Sequence, residues 1–353
     1  MQNRPGRSPR ITISDVSTAA GVSAATVSRV LNGTARVDPV LVERVHDAVR
    51  ELGYRPNAAA QGLARGEWGT IGVLVPDLAN PYFPEVLKAV SSVARAHGRR
   101  MMVMESDEDP ALEYELVEDL MRCCDGVLLC SPRMPRAELA ELLDRRHPVV
   151  LVNRIEPGLR APSISVDFIG GMTQVCGHLA QLGHRRAAYL GGPPASWANS
   201  ERIRAFEAAR AFGLDVTVVE CGAATSRAGY DAVEPVLRSE VTAILTYNDL
   251  VALGALARLR ELGVGVPEEL SVIGFDDISL ERVAHSNLTT VSVPRDELGR
   301  RAGEILERLL VNTSDDEPLS LPMTLRVRDT SGPPALAASS GKLNQHRRHA
   351  DEK

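Results

Sequence analysis

At Thr70 the apolar pattern of this chain changes period. After it, short runs rich in β-branched residues (Ile71–Val75, Met101–Met104, Gly126–Leu129, Val149–Val152, Ala187–Leu190, Ala243–Thr246, Val272–Phe275) alternate with longer amphipathic stretches such as Glu85–His97 and Leu250–Leu262. Strand runs that barely alternate, spaced by helices, predict parallel sheets buried on both faces. About 260 residues of this rhythm exceed what one small sheet carries, so two α/β subdomains are expected. Before Thr70 the pattern is helical, and it predicts three short helices between residues 11 and 54. Thr12 can cap the first, Gly21 ends it, Ser23 caps the second, and Asp38-Pro39 opens the third before Gly53.

Charge follows the same division. The net charge of −6 argues against a nucleic-acid partner only as an average. Residues 1–66 hold nine Arg against five acidic residues, or +4, and the remaining 31 basic and 41 acidic residues give −10. A basic head on an acidic body implies two parts with different partners. Five cysteines (Cys123, Cys124, Cys130, Cys176, Cys221) form no CxxC pair, which fits a reducing compartment and disfavours a metal or disulfide framework. No run reaches the roughly 18 apolar residues of a membrane span, and the Arg- and Pro-rich start lacks a signal-peptide core. A cytoplasmic protein without a membrane partner is expected.

The densest signal lies in Asp15–Asn32. Two short helices joined by a Gly-containing turn, with Ala20 small at the crossing and Val22 apolar in the turn, describe a helix-turn-helix. On the second helix Val27, Val30 and Leu31 form the inward stripe, which leaves Ala24, Ala25, Ser28 and Arg29 facing out. Arg29 offers the planar fork that pairs with guanine O6 and N7, worth about 1–3 kcal/mol of discrimination. Thr26 and Ser28 suit phosphate or secondary base contacts, and the two alanines suit thymine methyls. The bland alternative is a small helical subdomain with a solvated arginine.

These residues carry a family resemblance. The stretch Asp15-Val16-Ser17 … Ala20-Gly21-Val22-Ser23 … Thr26-Val27-Ser28-Arg29-Val30-Leu31-Asn32, followed by Gly53-Tyr54-Arg55-Pro56-Asn57, resembles the head of the LacI/GalR family of bacterial transcription regulators. The similarity runs to about residue 334. It implies an all-α helix-turn-helix DNA-binding head on a two-lobed α/β core like the periplasmic binding proteins, with doubly wound parallel sheets. It further implies a homodimeric repressor of a pseudo-palindromic operator in double-stranded DNA, controlled by a small polar effector, sugar or sugar-like, in the cleft. The DNA-facing set expected from it is Thr12, Ser23, Ala24, Ala25, Thr26, Ser28, Arg29, Asn32, Tyr54, Asn57, Ala60 and Leu63. Residues 57–65 resemble the family's hinge helix, in which Leu63 wedges into the minor groove. Gly62 departs from the better helix formers expected there, at about 1 kcal/mol relative to Ala. A plain Ala-rich linker is the alternative.

In the core, Pro76–Phe83 matches the loop that enters the cleft, where Tyr82 or Phe83 either stacks on a ligand ring or packs beneath the next helix. Ser200–Phe206 matches a motif that places Arg202 on the ligand. Asn248 and Asp276, each just after a strand, are the implied ligand contacts, with Asp249 and Asp277 as caps or loop braces. Cys130 stands at another pocket position, and Asp167 at the lobe crossover is either a contact or a helix cap. The family commonly places an aromatic platform near Cys221–Tyr230; here Gly222-Ala223-Ala224-Thr225 lacks one, which tells against a simple hexose.

The expected domains are an arm (1–10), the head (11–56), a hinge and linker (57–69), a core (70–330) and a disordered tail (331–353). The first lobe would take about 70–167 and 296–315, and the second about 168–295 and 316–330. His178 and His184 are six apart, the wrong spacing for metal on one helix face, and no cofactor or metal is expected. With no nucleophile elbow, P-loop or complete GxGxxG, catalysis has no support. Leu336 and Leu343 alone make no coiled coil. The rival readings are a small-molecule binding protein without DNA function, and an α/β enzyme.

Overall fold

The computed structural model describes residues 11–32, 37–54, 68–159, 161–278, 287–311 and 317–335. They belong to two compact units that divide after Trp68. In the first unit, α1 (Ile13–Ala20), α2 (Ala24–Asn32) and α3 (Pro39–Leu52) surround a core of Val16, Ala20, Val27, Val45 and Ala48. Thr12 and Asp15 form a reciprocal cap: the Asp15 carboxylate accepts from the Thr12 amide at 2.7 Å, and the Thr12 hydroxyl accepts from the Asp15 amide at 3.4 Å. Hydrogen bonds from the Thr12 amide and, at 2.8 Å, the Thr12 hydroxyl hold the Asp15 carboxyl below its ordinary range. Gly21 ends α1 at φ +61°, and a β-carbon there would lie 2.5 Å from the Arg44 guanidinium. Asp38 caps α3 through the Val40 amide at 2.9 Å, with Pro39 in the first turn and a left-handed Gly53 after the last.

The second unit contains two six-stranded sheets. The first is ordered β11-β5-β4-β3-β1-β2, from β1 (Thr70–Val75), β2 (Arg100–Glu105), β3 (Gly126–Cys130), β4 (Val149–Val152), β5 (Ser163–Val166) and β11 (Leu319–Leu321). The second is ordered β12-β10-β9-β8-β6-β7, from β6 (Arg186–Gly191), β7 (Asp215–Glu220), β8 (Ala243–Thr246), β9 (Ser271–Asp276), β10 (Thr289–Ser292) and β12 (Thr324–Arg326). Every pairing is parallel except β10 with β12. All seven predicted strand runs lie within these strands, so the buried doubly wound architecture follows from them.

Helices cover both faces of each sheet. Four of them matter for the site: α4 (Tyr82–Ala96), α7 (Phe168–Leu182), α8 (Trp197–Ala209) and α11 (Arg295–Leu310) share one apolar core with both sheets. On the outer face of the second sheet, α9 (Ser226–Leu237) and α10 (Asp249–Leu262) meet backbone to backbone. A β-carbon at Gly229 or Gly254 would fall within 2.0 Å of a carbonyl oxygen of the facing segment.

Two expected boundaries move. Leu319–Leu321 pairs with Ile164–Val166 of the first sheet, so this stretch does not belong to the second lobe. The last lobe crossing falls between Leu321 and Thr324, because a buried Leu321 completes the first lobe's edge. Nor does order end at residue 330. The Gly332 carbonyl accepts from His184 Nε2 at 2.8 Å and from Ser271 Oγ at 3.1 Å, and Ser331 Oγ meets His178 Nε2 at 3.0 Å. The two histidines that raised the metal question therefore pin the C-terminal segment, and residues 336–353 lie outside the described ones.

Candidate functional site

The carboxyl ends of strands from both sheets converge on one cleft, the place where open α/β sheets bind ligands. Its walls include Asn80, Tyr82, Phe83, Glu108, Ser131, Arg133 and Asn153 from the first lobe and Phe168, Ala198, Arg202, Tyr247 and Asp276 from the second. The open volume is about 30 Å³, room for a water or two at about 10–15 Å³ each rather than for a ring-sized solute.

Arg202 is buried in this cleft. Only 3 % exposed, its guanidinium lies over the rings of Phe275 (3.9 Å to the centroid), Tyr247 (4.6 Å) and Phe168 (4.7 Å). Its Nη2 is 3.9 Å from Asp276 Oδ1, while Nε and Nη1 are buried without a hydrogen-bond partner. Burial pushes the Asp276 carboxyl up to about 7, although the guanidinia of Arg202 and Arg295 pull it down. On the opposite wall Arg133 grips Glu108 with two bonds, 2.6 and 3.0 Å. The Asn153 amide donates to the Tyr82 hydroxyl at 2.7 Å, leaving Asn153 Oδ1 buried and unpaired. Glu108, Ser131, Asn153 and Asp276 all have positive φ. Left-handed non-glycine residues gathered on one cleft mark a surface shaped for a ligand.

In the first unit, Ala24, Ala25 and Arg29 are exposed together on the outer face of α2, and Thr26 and Ser28 are half-buried beside them. Ser23 caps this helix, its hydroxyl accepting from the Thr26 amide at 3.1 Å and meeting the Thr26 hydroxyl at 2.9 Å. Val22, Val30 and Leu31 pack inward. An exposed small-residue face with one planar cation is what a groove-reading helix requires.

Comparison with known proteins matches the head and part of the core to known domains. Residues 12–57 match the model of the bacterial regulatory proteins of the lacI family, and residues 176–331 match a periplasmic binding protein-like domain. The HTH-type transcriptional regulator GalS of Salmonella typhimurium is 36% identical over 319 residues, covering 86% of this chain and 92% of the relative. The chain belongs to the lacI family. A lac repressor dimer solved with operator and the anti-inducer ONPF superposes with a TM-score of 0.79 at 26% identity, over 91% of this chain and 99% of that one. The regulator CelR, solved with cellobiose, gives 0.66 at 29%, over 91% and 100%. This lacI-family chain is thus a DNA-binding transcriptional regulator and not an enzyme. Among its described residues no helix is long and apolar enough to cross a membrane.

Within this lacI-family chain the expected cleft residues divide. Tyr82, Phe83, Arg202 and Asp276 line the cleft. Asn248 does not: it caps α10, its Oδ1 accepting from the Val251 amide at 2.9 Å and its Nδ2 donating to the Ala224 carbonyl at 3.0 Å, so both ends of the amide are used. Asp167 is also a cap, accepting from the Gly170 amide at 2.8 Å, and is exposed. Cys130 is buried in the core, where burial pushes its thiol up to about 12, and its neighbour Ser131 takes the wall position. In the head, Thr12 is exposed but committed to its cap, and Tyr54 is half-buried against the core. Asn32 ends α2; Asn57, Ala60 and Leu63 lie outside the described residues.

Glu108, Arg133, Asn153, Phe168 and Tyr247 were missed as wall residues. Each stands one to three residues beyond the carboxyl end of a strand, which is the signal that would have found them.

Proposed function

We propose that the chain represses transcription as a homodimer on a pseudo-palindromic operator, with α2 of each protomer in the major groove and Leu63 as the minor-groove wedge. Arg29 would read a base pair in each half-site, and Ala24 and Ala25 would accept thymine methyls. The effector would be a small, neutral, hydroxyl-bearing metabolite held in the cleft with the lobes further apart than here, where the open volume is about 30 Å³. The observation that carries this reading is Arg202, buried with two unused donors. A hydroxyl-bearing ligand supplies acceptors to it and a donor to Asn153 Oδ1.

Pairing favours a neutral ligand: Glu108 lies against Arg133, and Asp276 stands 3.9 Å from Arg202. Ring stacking would fall to Tyr82, Phe83, Phe168 and Tyr247, since Gly222–Thr225 offers no aromatic platform. A liganded relative supports a sugar-type ligand: CelR was solved with cellobiose.

Selection from random duplexes followed by titration tests the DNA half; the selected site should be palindromic and bind two chains. A thermal-shift series with D-galactose, D-ribose, cellobiose and their phosphates tests the effector half. A ligand at a hundred times its Kd should add about 2.7 kcal/mol of stability. Response to the phosphates and to none of the neutral sugars would overturn the neutral-effector reading.

A further inference from the structure

Arg295 stands where the chain passes from β10 of the second lobe into α11 of the first. The side chain is only a tenth exposed, and every donor group on it is used. Its Nε donates to Glu85 Oε2 on α4 at 2.7 Å. Its Nη1 donates to the Asp276 carbonyl, and its Nη2 to the Asp277 carbonyl at 2.9 Å. One planar group thus spans two lobes.

Both carbonyls belong to residues in rare backbone conformations, Asp276 at φ +112° and Asp277 at φ +58°. Such geometry persists only where surrounding contacts over-determine it. Those contacts are present: Asp277 takes Arg328 at 2.5 Å, and Asp249 accepts from the Ile278 amide at 2.8 Å and the Thr290 hydroxyl at 2.6 Å. Arg295 alone among these braces reaches the other lobe. Its partner there, Glu85, lies one turn beyond Tyr82 and Phe83, the aromatic pair of the first-lobe wall.

We propose that Arg295 is a positioning residue that sets the Asp276 turn and the Tyr82–Phe83 turn as one unit, so that ligand reading by one lobe is coupled to the other. Its use in effector sensing rests on the cleft reading above; the coupling itself does not.

Hydrogen exchange on the full-length, ligand-free protein tests it, followed at the Ile278 amide and at the Tyr82 and Phe83 amides, which are held by Asn80. Arg295→Met should raise exchange at both turns at least tenfold, and Arg295→Lys should recover part of the loss. Glu85→Ala is the decisive variant, because among the described residues the bond from Glu85 goes to Arg295 and not to the Asp276 turn itself. It should nonetheless speed exchange at Ile278 several-fold while leaving α1 to α3 unchanged. An unchanged Ile278 in Glu85→Ala would overturn the proposal, and that result remains readable if Arg295→Met does not fold. If exchange couples as expected but no sugar protects the cleft, the effector reading fails and the coupling stands.

Discussion

Arg202 and Asp276 face each other across 3.9 Å, inside charge-pair range but beyond hydrogen-bond range. The gap leaves the guanidinium donors for a third party. Removing one partner of a buried ion pair leaves the other buried and unpaired, at about 3–5 kcal/mol. Arg202→Met should therefore lower Tm clearly and abolish any effector-induced shift. A wild-type ligand response in that variant would remove Arg202 from the site.

Asp276 also makes a pH signature. Its folded value, near 7, lies above the ordinary 3.8, so the native state holds the proton more tightly than the unfolded chain. Its contribution is fully present below about pH 4 and is lost as pH rises toward 7. Asp276→Asn should flatten this slope in denaturation measured from pH 4 to 8. A slope unchanged from wild type would place the titration elsewhere.

His184 works in the opposite sense. Burial lowers its imidazole below the ordinary 6.5, and the bond from Nε2 to the Gly332 carbonyl leaves Nδ1 to accept the Thr242 hydroxyl at 2.7 Å. The contribution of the neutral ring is present above about pH 6.5 and is lost on acidification. Protection of the Thr330, Ser331 and Gly332 amides, taken relative to the intrinsic exchange rate at each pH, should fall between pH 7 and 5 in wild type. In His184→Asn it should be low throughout, and equal protection in the two proteins would refute the pin.

In the head, Thr12→Ala removes a reciprocal cap and should cost about 1 kcal/mol. Calorimetry of the full chain should show it as an earlier head transition, with the core transition unmoved.

Arg29→Ala should lower affinity for the selected operator by about 10- to 100-fold, the range of one lost bidentate base contact. Binding to unrelated duplex should be reduced far less. Equal losses on both DNAs, measured by titration at one salt concentration, would assign Arg29 to phosphate rather than base.

The head was legible almost to the residue, because its caps are local: Thr12, Gly21, Ser23, Asp38 and Gly53 each do what their side chain or its absence dictates within four positions. The central strands were legible from burial on both faces. The other five strands were not: at the sheet edges β7 (Asp215–Glu220) is largely exposed and β11 and β12 have only three residues each, while the buried β5 (Ser163–Val166) and β10 (Thr289–Ser292) are short and rich in Ser and Thr. In the cleft, family pattern placed Arg202 and Asp276, but adjacent polar residues after a strand compete for two jobs. Asn248 took the cap, and Asp249 took the brace. Nothing local in Asn248-Asp249 decides between these, because the choice depends on Ala224 and Thr290, far away in sequence.

Only Pro322 and Met323 link the two sheets at the last crossing. Two residues reach at most about 7 Å, so the link serves as a pivot and not as a tether. Any motion between the lobes would therefore turn about this crossing and grow with distance from it, toward the far ends of the strands, where β1 begins at Thr70.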